Sequence, residues 1–173
     1  MIRFALAVLA FASGLVPALA QEPVFPAKAG GLARVGRTDF EARAPGLGFS
    51  VRYSDGIRKA DVYIYDKRMA LEDGDRAGSE AERDQAASDI ETLVQRGNYE
   101  EAEILSRTTR PLRQTLFATA RAKIVDHGVE LDSFVYVTIR GGKFLKVRYS
   151  APAQRGSEAR ADAFVSGIMA AQR

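Results

Sequence analysis

Residues Leu131 to Ser150 read LDSFVYVTIRGGKFLKVRYS, and this stretch decides the fold. Leu131 to Arg140 is crowded with aromatic and β-branched residues, the composition of a strand. Gly141-Gly142 follows, and two glycines accept the positive φ angles of a two-residue hairpin turn. From Lys143 the chain returns with Leu145, Val147 and Tyr149 alternating against Lys146 and Arg148. Two strands joined so tightly must run antiparallel.

Downstream, Pro152 ends the returning strand. Ser157 to Ala171 then places Ala161, Phe164, Val165, Ile168 and Met169 on one stripe at helical spacing. Upstream, Asp126-His127-Gly128 is a turn, preceded by a long candidate strand over Leu112 to Ile124 and another over Glu101 to Thr109. In the long strand Leu116, Ala118, Ala120, Ala122 and Ile124 face one way. Arg113, Thr115, Phe117, Thr119, Arg121 and Lys123 face the other. A second helix is predicted over Ser79 to Arg96, with Ser79 and Glu82 at capping-box spacing and Gly97 as its stop. Before it, Gly48 to Ser54 and Ala60 to Asp66 read as strands around an Asp55-Gly56 turn, and a short strand falls near Ala33 to Val35. The two sides of Ala60 to Asp66 (Val62 and Ile64 against Tyr63 and Tyr65) are both apolar enough to be covered.

The expected architecture is therefore a single α+β domain, a mainly antiparallel sheet with two principal helices packed on it. Helices so separated in sequence are expected to cover one face. The expected core comprises Val51, Val62, Ile64, Ile90, Leu93, Leu116, Val135, Val137, Leu145, Val147, Phe164 and Ile168. No repeat or second domain interrupts residues 32–173.

Residues 1–20 form a separate signal. Arg3 precedes an apolar run, Phe4 to Ala12. Gly14 and Pro17 break the run before Ala18-Leu19-Ala20, a small-x-small cleavage pattern. The run is too short to span a bilayer, which takes roughly 20 apolar residues. We expect a secretory signal peptide cut before Gln21, a periplasmic or secreted chain, and an exposed, flexible lead-in over residues 21–31. No transmembrane segment is expected after cleavage.

Of the 173 residues, 46% are hydrophobic and 27% charged, proportions of one globular domain rather than a disordered chain. Cleavage would remove one arginine and lower the net charge from +3 to +2. That near-balance gives no footprint for nucleic acid. The chain has no cysteine, which excludes thiol catalysis, thiolate metal sites and c-type haem attachment. The single histidine, His127, lies in a turn with no nucleophile-elbow motif near it. No glycine loop is built for phosphate. No cofactor and no catalytic residue are assigned. A small carboxylate-dependent hydrolase is the alternative to a non-enzymatic protein, because sequence gives no carboxylate separations.

The run Gly48-Phe49-Ser50-Val51-Arg52-Tyr53 and the ending Phe144 to Ala151, leading into a helix with Phe164 and Ile168, resemble the PsbP-like group of small α+β proteins. Bacterial DcrB-like envelope proteins look related to it. The resemblance spans most of the chain after residue 20. It implies an accessory or scaffold-like role without assigned catalysis and transfers no site residues.

Two candidate sites remain. Asp73, Asp75 and Asp84 match positions 1, 3 and 12 of a calcium loop, with Gly78 at position 6, but Ala77 and an aspartate stand where ligands of another type are usual. More prominent is a basic and aromatic set. Arg113, Phe117, Arg121 and Lys123 share one strand face, and Lys146 and Arg148 share another. If the strands neighbour each other, the surface suits an acidic envelope protein, an anionic headgroup or a cell-wall polymer. Long basic side chains also cover the solvated side of ordinary half-buried sheets.

Overall fold

The computed structural model describes residues 23–172; residues 1–20, read above as a signal peptide, and the expected cleavage site lie outside them. The chain forms β1 (Lys28–Ala29), β2 (Leu32–Asp39), β3 (Phe49–Ser54), β4 (Lys59–Tyr65), α1 (Arg76–Gln95), β5 (Glu101–Leu112), β6 (Thr115–Asp126), β7 (Val129–Arg140), β8 (Lys143–Pro152) and α2 (Ser157–Ala171). All eight strands join one antiparallel sheet in the order β1-β2-β3-β4-β8-β7-β6-β5. The hairpin read from Gly141-Gly142 is present: both glycines have positive φ, and Arg140 pairs with Lys143.

The helices do not share a face. Alternate residues of β7 point to opposite sides. Phe134 and Tyr136 join Phe164, Val165 and Ile168 of α2, whereas Val135, Val137 and Ile139 join Ala86, Ala87 and Ile90 of α1. The sheet thus has a core on each side. Ala120 and Ala122, small side chains on β6, belong to the α1 side and give that helix a close seat.

Ten of the twelve expected core residues are buried. Leu93 is half-buried on α1. Leu116 is 43% exposed, and its neighbour Phe117 is fully buried instead, meeting Tyr136 edge-to-face at 6.1 Å. The reason is that both sheet faces are covered, so the side opposite the alanines must also supply apolar anchors. We expect Leu116→Ala to change stability by less than about 0.5 kcal/mol in urea unfolding, as at an exposed position.

Other boundaries also moved. The expected long strand is interrupted at Arg113-Gln114, where Arg113 has φ 55° and the chain turns between β5 and β6. Pro111, lacking an N–H, fits because β5 is an edge strand. The region read as an exposed lead-in supplies Phe25 and Ala29 to the α2-side core. Helix α1 starts one turn early, with Asp75 at its N-cap. The Ser79 hydroxyl donates to Asp75 O at 2.7 Å, and Arg76 reaches Glu80 one turn on at 2.8 Å. Gly78 lets that first turn sit on Ile139, whose Cδ1 would be 3.1 Å from an added Cβ. The Gly97 stop is a Schellman cap: Gly97 N donates to Val94 O and Asn98 N to Leu93 O, both at 2.9 Å.

Both sheet margins are irregular. Strand β1 covers only Leu32 and Ala33 of β2, and β2 then slips register between Arg34 and Gly36. At the other margin β5 slips between Ile104 and Ser106.

Candidate functional site

The structure does not bring the six basic and aromatic candidates together. Arg113 is exposed in the β5–β6 turn, and Phe117 is core. Strand β7 separates β6 from β8. Arg121 pairs in register with Phe134 and thence Tyr149, on the α2 side, while Arg148 pairs with Val135, on the α1 side. A one-residue offset in register puts side chains on opposite faces. Arg121 holds the buried Asp132 at 2.8 Å, and Lys123 holds Glu130 at 2.7 Å. Arg121 and Asp132 also line a cleft of about 530 Å³ with Arg155, Ser157 and Asp162. The charges there are mostly matched internally, since Asp162 already accepts from Arg110 at 2.6 Å and from the Tyr136 hydroxyl at 2.7 Å.

The calcium candidates are also separated. Helix α1 begins at Arg76, so the twelve-residue window is no loop. Asp73 accepts the Gly142 N–H at 2.9 Å, and Asp84 pairs with Arg83 at 2.7 Å and Arg107 at 3.4 Å. His127 is exposed in the β6–β7 turn beside Asp126, at 2.7 Å.

Lys146 and Arg148 do meet a distinct environment. Helix α1 packs on β5, β6 and β7. The same face of β3, β4 and β8 continues beside it with Arg52, Asp61, Tyr63, Lys146 and Arg148 half-buried or exposed. Cross-strand partners line up in rows there: Ser50, Tyr63, Lys146 in one and Arg52, Asp61, Arg148 in the next. Where the half-face meets α1, Glu82 is only 4% exposed and accepts from the Tyr65 hydroxyl, from Lys67 Nζ, and from Lys146 Nζ at 3.3 Å. Burial pushes the Glu82 carboxyl up, but the bonds from Lys67 and Tyr65 and the Lys146 charge outweigh it and hold it below its usual range. Burial pulls the Lys146 ammonium below its usual value, with Glu82 opposing. The governing direction is that of Glu82, an ionised carboxylate with two ammonium groups on it. Lys146 also lies 5.0 Å from the Tyr65 ring and 5.4 Å from that of Tyr63.

Lys67 reaches Glu82 from a turn in which Lys67 and Arg68 both have positive φ, 55° and 59°. Left-handed backbone at two successive non-glycine residues is costly and persists where the surroundings enforce it. Asp66 enforces it, accepting the Arg68 N–H at 2.8 Å and Lys143 Nζ at 3.1 Å.

Arg148 completes the half-face. Its Nη2 donates to the Tyr99 hydroxyl at 3.0 Å, and its Cζ lies 5.6 Å from the Tyr99 ring centroid. Burial pushes the Tyr63 hydroxyl pKa up, while Arg148 and Arg52 pull it down. Sequence reasoning missed Glu82, assigned to a cap, and Tyr99 and Asp61, which no local pattern marked. The alternation of Tyr63 and Tyr65 was the one available signal. Chemically, this surface offers cations and phenol rings to an anionic, partly apolar partner, without an arranged nucleophile.

No family model matches the chain, and no curated protein matches it in sequence. Among solved structures, the solution structure of cyanobacterial PsbP (CyanoP) from Synechocystis sp. PCC 6803 superimposes with a TM-score of 0.52 at 16% identity, covering 76% of this chain and 79% of that one. The Saccharomyces cerevisiae Ran-binding protein Mog1p gives a TM-score of 0.36 at 12% identity, covering 82% and 86%. The PsbP-like fold expected from Gly48–Tyr53 and Phe144–Ala151 is present.

Proposed function

We propose that this chain is a non-enzymatic binding or accessory protein of the cell envelope, exported to the periplasm, whose partner docks on the half-face beside α1. The observation that carries the reading is the row structure of that half-face: Tyr63, Lys146 and Arg148 lie half-buried at the margin of the area on which α1 packs, with Lys146 bound to Glu82 of that helix. Partly desolvated cations beside aromatic rings are typical anchors of protein interfaces. The signal-like residues 1–20 support export. The partner is anionic, whether an acidic envelope protein, a headgroup or a cell-wall polymer.

The test is affinity capture from envelope extract with protein recovered from the periplasm. Its intact mass should correspond to residues 21–173. Wild type should retain a partner that Arg148→Glu loses and Arg121→Glu keeps. Retention should weaken with salt, because exposed charges are screened over about 10 Å at 0.1 M. Loss in Arg121→Glu alone would move the site to the cleft at the start of α2.

A further inference from the structure

Arg52, Asp61 and Arg148 form one cross-strand row, with the aspartate between two arginines. Asp61 accepts from Arg52 Nε at 2.8 Å. Arg148, its neighbour on the other side, is held only by the Tyr99 hydroxyl, and no carboxylate of the described residues pairs with it. This is unusual within the molecule. The half-buried arginines Arg58, Arg110 and Arg121 hold Asp55, Asp162 and Asp132, and the buried Arg83 holds Asp84. Arg160, the other half-buried exception, donates to the Arg155 backbone.

A half-buried guanidinium has given up part of its hydration, and its planar fork of five donors matches a carboxylate bidentately. The row carries two positive charges and one negative. One carboxylate balances it. In the row on one side Lys146 already shares Glu82 with Lys67, and in the row on the other the exposed Lys59 stands in register with Ser150. A carboxylate is balanced by the Arg52, Asp61 and Arg148 row alone, whereas the nearly doubled charge of a phosphate monoester would have to draw on Lys59 as well. Tyr99 and Tyr63 provide amphipathic walls, an apolar ring ending in a hydroxyl, of the kind enriched at protein interfaces.

We propose that Arg148 is the receptor for a carboxylate on an acidic segment of a protein partner, with Asp61 as the internal carboxylate that competes for it. This rests on the docking reading above and narrows it to one chemistry and one anchor.

The purified protein is titrated with a short glutamate-rich peptide, its glutamine counterpart, inorganic phosphate, and phosphatidylcholine vesicles containing phosphatidylglycerol. Binding is followed by NMR of the arginine Nε–Hε signals, with that of Arg148 assigned by its loss in Arg148→Gln. The glutamate peptide should shift the Arg148 signal, and Arg148→Gln should bind it about tenfold more weakly. Arg148→Lys, which keeps the charge and loses the fork, should also weaken it. Asp61→Asn should bind more tightly, and by more than Glu130→Gln, an equal change of charge on the opposite face. The inference is overturned if Arg148→Lys binds like wild type, if the two charge-removing variants behave alike, or if phosphate or vesicles shift Arg148 and the peptide does not. If capture from extract still depends on Arg148 while the peptide fails, the half-face stands and the carboxylate assignment falls.

Discussion

Glu82→Ala should lower the unfolding free energy by about 3 kcal/mol, the lower end of what breaking a buried ion pair costs. Three donors converge on this carboxylate, and the side chain is almost inaccessible. Its removal strands the Lys146 ammonium, 18% exposed, against the Tyr63 and Tyr65 rings and leaves the buried Tyr65 hydroxyl unpaired. Lys67 is 37% exposed and can turn to solvent, which is why the lower end applies. Urea unfolding measures the loss. The double variant Glu82→Leu/Lys146→Met should recover most of it, because removing both charges leaves nothing stranded. The effect also depends on pH. The folded pKa of Glu82 is depressed, so its contribution is complete above the ordinary glutamate value of about 4.3 and declines as pH falls through the folded value. The gap between wild type and Glu82→Ala should therefore narrow below about pH 4. A gap unchanged down to pH 3 would contradict an ionised Glu82 in the fold.

Gly48→Ala should be comparably severe, about 3 kcal/mol, combining left-handed strain with displaced backbone. Gly48 has φ 52°, and an added Cβ would lie 2.0 Å from the Ile64 carbonyl oxygen. That oxygen belongs to β4 and cannot swing away like a side-chain tip, since Ile64 pairs in register with both Phe49 and Leu145. The Gly48 carbonyl accepts from Phe40 N at 2.8 Å and Glu41 N at 3.1 Å, while its own N–H goes to the Glu41 carboxylate at 2.9 Å. A shift that relieves the clash breaks these contacts and the start of the β3–β4 ladder together. Thermal and urea unfolding of Gly48→Ala beside the conformationally open Gly36→Ala, whose Cβ meets nothing within 4 Å, would separate the clash from a general loss of glycine. Equal effects of the two substitutions would refute it.

Local signals accounted for the hairpins at Asp55-Gly56, Asp126-His127-Gly128 and Gly141-Gly142, helix α2, the α1 stop and most of the core, but not for the β5–β6 turn at Arg113-Gln114. Two kinds of information were missing. The first was which face each helix takes. Phe117 and the alanines of β6 looked like the polar and apolar sides of one strand, whereas both sides are buried. An alternating pattern that is Ala on one side and Phe-Thr on the other belongs to a sheet covered twice, and the small residues mark the closer helix. The second was register across long separations. Arg52, Asp61 and Arg148 form a row only because β4 pairs with β8, and nothing near any of the three announces it. Glu82 was visible as an acid three residues after a serine, which reads as a cap. Its actual work depends on Tyr65 and Lys67 from β4 and the turn after it, and on Lys146 from β8.

The slipped registers at the two margins bear on the behaviour of many copies in solution. A regular open margin is a template on which an identical chain can stack, and repeated stacking builds aggregates. Here an incoming strand at β2 meets the Val35 irregularity and then Arg34 and Arg37. At β5 it meets the break after Ile104, and beyond it Arg107 and Pro111, the latter with no N–H to offer. Neither margin presents an uninterrupted ladder, so the same irregularities that end the sheet also guard a concentrated solution of this protein against edge-to-edge polymerisation.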